Sequence, residues 1–267
     1  MSSLSEHRSP NLSHVTGYIE SLLYEGQLLL LAAERVGLDN PVPTCPNWRM
    51  RDLLQHLGGV HRWATTHVAG RRTRMLPENE EPAIMKTWPH DPADQDGLLG
   101  WVKDGYTSLV HALRNADPEL ECWRFLPAAS GTSFWARRQA HETAIHRADA
   151  EAAVGLITPF GSGHAADGID ELLRGFFGRS ASKLQSNAVH TMALVPTDAE
   201  TGWHLTIGPQ RLDVTDPNFA TAGCTVRATT SDLYLLLWNR IGWEYLDVQG
   251  DQTALHFWRE HATVEWS

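Results

Sequence analysis

Apolar residues recur at helical spacing through about the first 155 positions of the chain. Ile19, Leu22, Leu23, Leu30, Leu31 and Ala33 mark one long helix that stops at Gly37. Met50, Leu53, Leu54, Leu57, Val60 and Ala64 mark a second, beginning near Trp48. A third runs from about Asp94 to Ala116 on Leu98, Leu99, Val102, Leu109, Val110 and Leu113, and a fourth from about Ser133 to Val154. The connection between the second and third carries Pro77, Pro82, Pro89 and Pro92. It is too long for a tight turn, so it predicts a crossover or a wall of a site. Four helices of this length predict a bundle, a fold that builds metal sites between facing helices.

The period changes near residue 160, where Phe160-Gly161-Ser162-Gly163 reads as a linker. One helix is predicted over roughly Ala165 to Leu184. Short strand-like runs follow at Val189–Val195, Trp203–Ile207, Arg211–Val214 and Cys224–Ala228. Gly208-Pro209 and Asp216-Pro217-Asn218 separate them, as between antiparallel strands. Ser231-Asp232 predicts the cap of a helix reaching Arg240, and two further strands are expected to close the chain. The pattern therefore gives a mainly α region, residues 1–158, followed by a small α+β domain, residues 159–267.

Composition narrows the function classes. A formal charge of −10 over 267 residues argues against a nucleic-acid partner, which requires a basic patch. No apolar run approaches the roughly eighteen residues of a membrane span. The first residues, Met1-Ser2-Ser3-Leu4-Ser5-Glu6-His7-Arg8, lack the apolar core of a secretory signal. Cys45, Cys122 and Cys224 are too far apart for a CxxC site, and three cysteines make no disulfide framework. A reduced, cytoplasmic setting is expected, as a monomer or homodimer.

Candidate chemistry concentrates in His141-Glu142-Thr143-Ala144-Ile145-His146. On a helix, Glu142 and His146 fall about 40° apart, whereas His141 and His146 diverge by about 140°. The zinc-protease pattern needs its histidines at i and i+4, so His141 drops out. Glu142 and His146 remain as a pair needing a third ligand, against the plainer reading of a solvated face. The flanking Ala140, Ala144, Ile145 and Ala148 favour burial, and a buried carboxylate must be paired or bound to metal. Arg138 and Asp149 stand four residues before Glu142 and three after His146. They read either as a surface ion-pair ladder or, for Asp149, as the acceptor that fixes the imidazole tautomer.

His56 is the sharpest third candidate. It lies at the edge of its helix's apolar face, and Gly58-Gly59 follow it inside the helix at a cost on the order of 1 kcal/mol each. That cost suggests a close approach by another backbone or a ligand. A satisfied boundary histidine is the alternative, as it is for His61 and His67.

The two regions together resemble a known family. Thr44-Cys45-Pro46-Asn47-Trp48-Arg49-Met50-Arg51-Asp52-Leu53-Leu54-Gln55-His56-Leu57-Gly58-Gly59 resembles the first signature of the mycothiol-dependent maleylpyruvate isomerase family, in the DinB-like superfamily. The stretch from Arg137 to Glu151 resembles its second. The resemblance implies a DinB-like four-helix bundle and a sterol-carrier-like α+β tail. It also implies a divalent metal, usually zinc, on His56, Glu142 and His146. Arg49 departs from the pattern, since the family usually places Thr or Ser there as a helix cap.

Two histidines and one carboxylate leave a coordination position open, as in catalytic zinc sites. A thiol bound there loses its proton, and the resemblance implies that this thiol is mycothiol. The thiolate would then isomerise an activated double bond or be transferred to a small electrophile. Cys45 reads as packing rather than as a nucleophile. Arg240 resembles the family's arginine that reaches the substrate or thiol; Arg227 is a weaker candidate, and Arg71-Arg72-Thr73-Arg74 reads as a solvated loop. The same donor set also suits a non-haem iron(II) oxygenase. A non-catalytic, metal-stabilised binding protein would instead use Trp203, Trp238, Trp243, Phe257 and Trp258 around an apolar ligand.

Overall fold

A computed structural model describes residues 10–179, 182, 184–216 and 221–264. The expectation about the extreme N-terminus and the turn at Pro217-Asn218 lie outside them. The chain divides into two compact units between Ile157 and Thr158.

The first unit is built on four long helices: α1 (Pro10–Val36), α2 (Met50–Ala69), α4 (Gln95–Asn115) and α5 (Gly131–Ala152). A short helix, α3 (Glu81–Met85), lies in the proline-rich connection. Gly37 ends α1 at φ 81°, a conformation open to glycine at little cost. Asp94 caps α4 by accepting from the Gly97 N–H, and Ser130 caps α5 by accepting from Ser133. At α2 the Arg49 side chain makes no cap bond, and its guanidinium donates instead to the Asp39 carbonyl. Asp52 still accepts from the Arg49 N–H at 2.8 Å.

Helix α5 is the central element, packing on α1 and α2. Its burial is not confined to one stripe; Arg138, His141, Glu142, His146, Arg147 and Asp149 are all buried. Ala136, Ala140, Ala144 and Ala148 are fully buried at four-residue intervals, a small-residue ridge that lets neighbouring backbones come close. The buried charges are matched: the Arg147 guanidinium donates to Glu25 of α1 and to Glu151, each at 2.7 Å.

The second unit is an α+β domain with a five-stranded mixed sheet. Its strands are β1 (His190–Pro196), β2 (Trp203–Ile207), β3 (Asp213–Thr215), β4 (Cys224–Ala228) and β5 (Asp247–Gly250), in the order β3-β2-β1-β4-β5. The antiparallel expectation fails at one place: β1 and β4 run parallel, with Leu194 opposite Val226. Met192, Ala193 and Leu194 are buried consecutively, as in a central strand covered on both faces.

Three helix assignments are also corrected. The helix predicted to reach Leu184 is α6 (Ser162–Asp170), continued by a π-helical stretch, Glu171–Phe177. At Gly178, which ends this stretch, a Cβ would lie 2.6 Å from the Arg174 carbonyl, so the backbone as folded leaves no room for a side chain there. Helix α7 (Thr230–Leu237), capped by Thr229, ends before Arg240. The chain closes with one strand and a helix, α8 (Thr253–His261), in place of two strands. No helix among the described residues is long and apolar enough to cross a membrane.

Candidate metal centre

The loop before α2 sets the first part of the site. Cys45 N–H donates to the Val42 carbonyl and Trp48 N–H to the Cys45 carbonyl, and these two bonds pin Thr44-Cys45-Pro46-Asn47 as a tight turn. The turn presents the Thr44 hydroxyl and the Trp48 ring beside α5. Helix α2 then carries His56 past Trp48, with ring centroids 4.9 Å apart.

Gly58 and Gly59 explain how α2 comes so close to its neighbours. A Cβ on Gly58 would fall 2.1 Å from the Trp101 ring of α4, and one on Gly59 would fall 2.8 Å from the Met85 carbonyl of α3. The expected close approach is therefore real on both sides, and one partner is backbone. The proline-rich connection does form a wall: with Trp48 and His56 it lines a cavity of about 630 Å³.

His56, Glu142 and His146 come together. Their ligand atoms all lie within 4.8 Å of one another. Glu142 Oε1 is 3.3 Å from His56 Nε2 and 3.4 Å from His146 Nε2. Its other oxygen, Oε2, accepts from Arg138 Nη2 at 3.1 Å. The His56 and His146 rings meet edge-on at 5.0 Å, and Trp48 flanks both.

Asp149 is fully buried, which rules out the surface-ladder reading. Its Oδ2 lies 2.9 Å from His146 Nδ1, and its Oδ1 accepts from the Thr44 hydroxyl at 2.6 Å. The Cys45 thiol is 3.5 Å from Oδ2. With the Nδ1 proton directed at Asp149, Nε2 faces Glu142 and His56 and is the nitrogen that would meet a cation on giving up its own proton.

The electrostatics of this cluster favour a cation. Burial pushes Glu142 up, but hydrogen bonds from His146 and His56 and the charges of His146 and Arg138 outweigh it and hold the carboxyl well below its usual range. Burial pushes His146 down, yet the bonds to Asp149 and Glu142 prevail and raise it to about 9. Positive charge is stabilised between these groups. Two imidazole nitrogens and a carboxylate oxygen in mutual reach are a donor set that fits zinc or another first-row divalent ion.

The other candidates fall elsewhere. His141 is buried against Tyr18, with ring centroids 6.2 Å apart, and is outside the cluster. His61 is buried with Nε2 2.9 Å from the Thr143 hydroxyl, and burial lowers it to about 3. His67 stacks on Trp135. Arg240 lies past the end of α7, beyond Asn239 at φ 58°, and donates to the Trp238 carbonyl at 2.9 Å. Arg227 is exposed on β4. Arg72 of the basic loop pairs with Glu80 at 3.3 Å. Trp203 and Trp258 are buried in the second unit.

Comparisons with known proteins agree with this architecture. Residues 25–151 match the mycothiol maleylpyruvate isomerase N-terminal domain, and residues 163–257 match the C-terminal domain of the same family. A crystal structure of the mycothiol-dependent maleylpyruvate isomerase aligns over 91% of this chain and 94% of its own, at 16% identity and a TM-score of 0.56. A histidine-to-alanine mutant of that isomerase aligns over the same shares, at 14% identity and a TM-score of 0.57. No curated protein gives a significant match.

Proposed function

The chain belongs to the mycothiol-dependent maleylpyruvate isomerase family, and from that premise we propose that it is a metal-dependent enzyme that activates mycothiol for reaction with a small electrophile. The reaction is either cis–trans isomerisation of an activated double bond or S-transfer. The observation that carries the reading is the convergence of His56, Glu142 and His146 within 4.8 Å.

His56 and His146 would hold the ion through Nε2, and Glu142 through Oε1. When bound, a divalent ion such as zinc supplies the Lewis acidity that makes a thiol a thiolate at neutral pH. The chain's own groups do the rest. Arg138 neutralises and orients the far oxygen of Glu142, and Asp149 keeps the His146 proton on Nδ1. Trp48 covers one side of both imidazoles and excludes water there. Arg240 is assigned to a polar group of the thiol cosubstrate.

Incubating metal-loaded protein with mycothiol and a panel of electrophiles tests the reading, scored by adduct or isomer formation. Turnover is expected in wild type and lost, together with stoichiometric metal, in His146→Ala. Retention of one metal per chain in that variant overturns the ligand set. Elemental analysis of protein purified without added metal separates zinc from iron, and oxygen consumption with stoichiometric iron would favour an oxygenase.

A further inference from the structure

The cavity that opens on His56 has a composition suited to one class of electrophile. Trp48, Met85 and Trp88 give it apolar walls, and Asp52, Glu78 and Glu81 give it three carboxylates against the single ammonium of Lys86. Asp52 is engaged by the Arg49 N–H. Glu78, Glu81 and Lys86 form no ion pair among the described residues, and Glu78 and Lys86 are exposed. No ion pair among the described residues therefore neutralises Glu78 or Glu81, and with Lys86 as the one ammonium the cavity lining keeps a net negative charge.

This asymmetry matters because the reacting centre would be close to neutral when loaded. The two positive charges of a divalent ion held there would be offset by the Glu142 carboxylate and a thiolate. The remaining nearby charges, Arg138 on Glu142 and Asp149 on His146, oppose each other. The field met by an incoming molecule is then set largely by the cavity rim. Like charges a few ångströms apart repel even in water, and a dianion meets this repulsion twice over. Indole faces meanwhile offer dispersion contact to a flat molecule and attract cations through their π-systems.

We propose that this cavity selects an uncharged or cationic, flat electrophile over a dicarboxylate, and that Glu78 and Glu81 set the preference. The inference rests on the proposed thiol-activating function and narrows its substrate class. It favours addition of the thiol to a neutral acceptor over isomerisation of a dianionic one. In such an addition the thiolate sulfur bonds to the electron-poor alkene carbon and the thiol proton ends on the adjacent carbon, so no oxidant or leaving group is needed.

Three near-isosteric probes, maleamide, maleamate and maleate, differ in charge by one unit each. Ligand-observed NMR on the full chain as purified measures their affinities without turnover, at low and high salt, in wild type and E78Q/E81Q. Wild type should bind the diamide about tenfold more tightly than the dicarboxylate at low salt, with the ratio shrinking at high salt. E78Q/E81Q should narrow it at least about threefold. Equal binding of the three, a ratio unmoved by the double variant, or no binding of any probe overturns the inference. Failure of the thiol-activating reading shows separately, as protein that holds no metal or forms no mycothiol adduct with any electrophile.

Discussion

Asp149 Oδ2 lies 2.9 Å from His146 Nδ1, and the same carboxylate accepts from Thr44, more than a hundred residues away in sequence, through its other oxygen at 2.6 Å. The first motif of the chain thus holds the acceptor that orients a candidate ligand, His146, carried by the second. A histidine whose distal nitrogen is tied to a buried carboxylate binds metal with a fixed tautomer and a more basic Nε2.

Replacing Asp149 with Asn keeps the shape but weakens the acceptor and can present an amide N–H to Nδ1. Metal affinity is expected to fall about 10–100-fold, read by competition with a chromophoric chelator. Thr44→Val leaves Asp149 with one bond fewer and should fall between Asp149→Asn and wild type. Unchanged affinity in both variants would remove Asp149 from the metal's support.

The convergence of His56, Glu142 and His146 was legible from the sequence, and the reason is spacing. Glu142 and His146 are local neighbours on one helix, and His56 announced itself by standing at the edge of an apolar face before two glycines. The Thr44 and Arg138 roles were not legible to the same degree. Thr44 meets Asp149 only after the whole bundle has closed, and a lone threonine before Cys-Pro carries no local sign of that. Arg138 looked like a surface partner because α5 has no polar face to contrast with a core; the four-residue alanine ridge was the available signal of all-round burial. In the second unit, helix α8 stands where a closing strand was expected, although Phe257 and Trp258 are strong strand formers. Packing decided otherwise: Trp258 is buried and donates to the Leu237 carbonyl at 2.9 Å. The parallel β1–β4 pairing is a long-range choice that no turn between adjacent strands encodes.

Gly58 is a position where the usual helix rule reverses. Alanine is favoured over glycine within a helix by about 1 kcal/mol. Here its methyl would sit 2.1 Å from the Trp101 ring, which is held by a bond from its indole N–H to Thr87 and by the Arg62 guanidinium stacked 3.8 Å from its centroid. Relieving that overlap costs about 1–3 kcal/mol, so Gly58→Ala should be destabilised on balance, measured as a lower urea midpoint at constant slope. An unchanged or higher midpoint would show that Trp101 moves freely.

His67 gives the fold an acid-side weakness independent of the candidate metal centre. It is fully buried in a ring of aromatics, stacked on Trp135 at 5.3 Å and edge-on to Trp63 at 5.2 Å, and neither ring nitrogen has a hydrogen-bond partner among the described residues. Burial, aided by the charge of Arg72, lowers it from 6.5 to about 4. The unfolded chain therefore takes up the proton first as pH falls. Stability is lost between about pH 6.5 and pH 4 and the loss levels off below, at about 3 kcal/mol over the whole window. His67→Phe keeps a flat ring in the cage and removes the titration. Its unfolding free energy should fall less steeply than wild type between pH 7 and pH 4.5, and parallel curves would show that His67 is not held neutral by the cage.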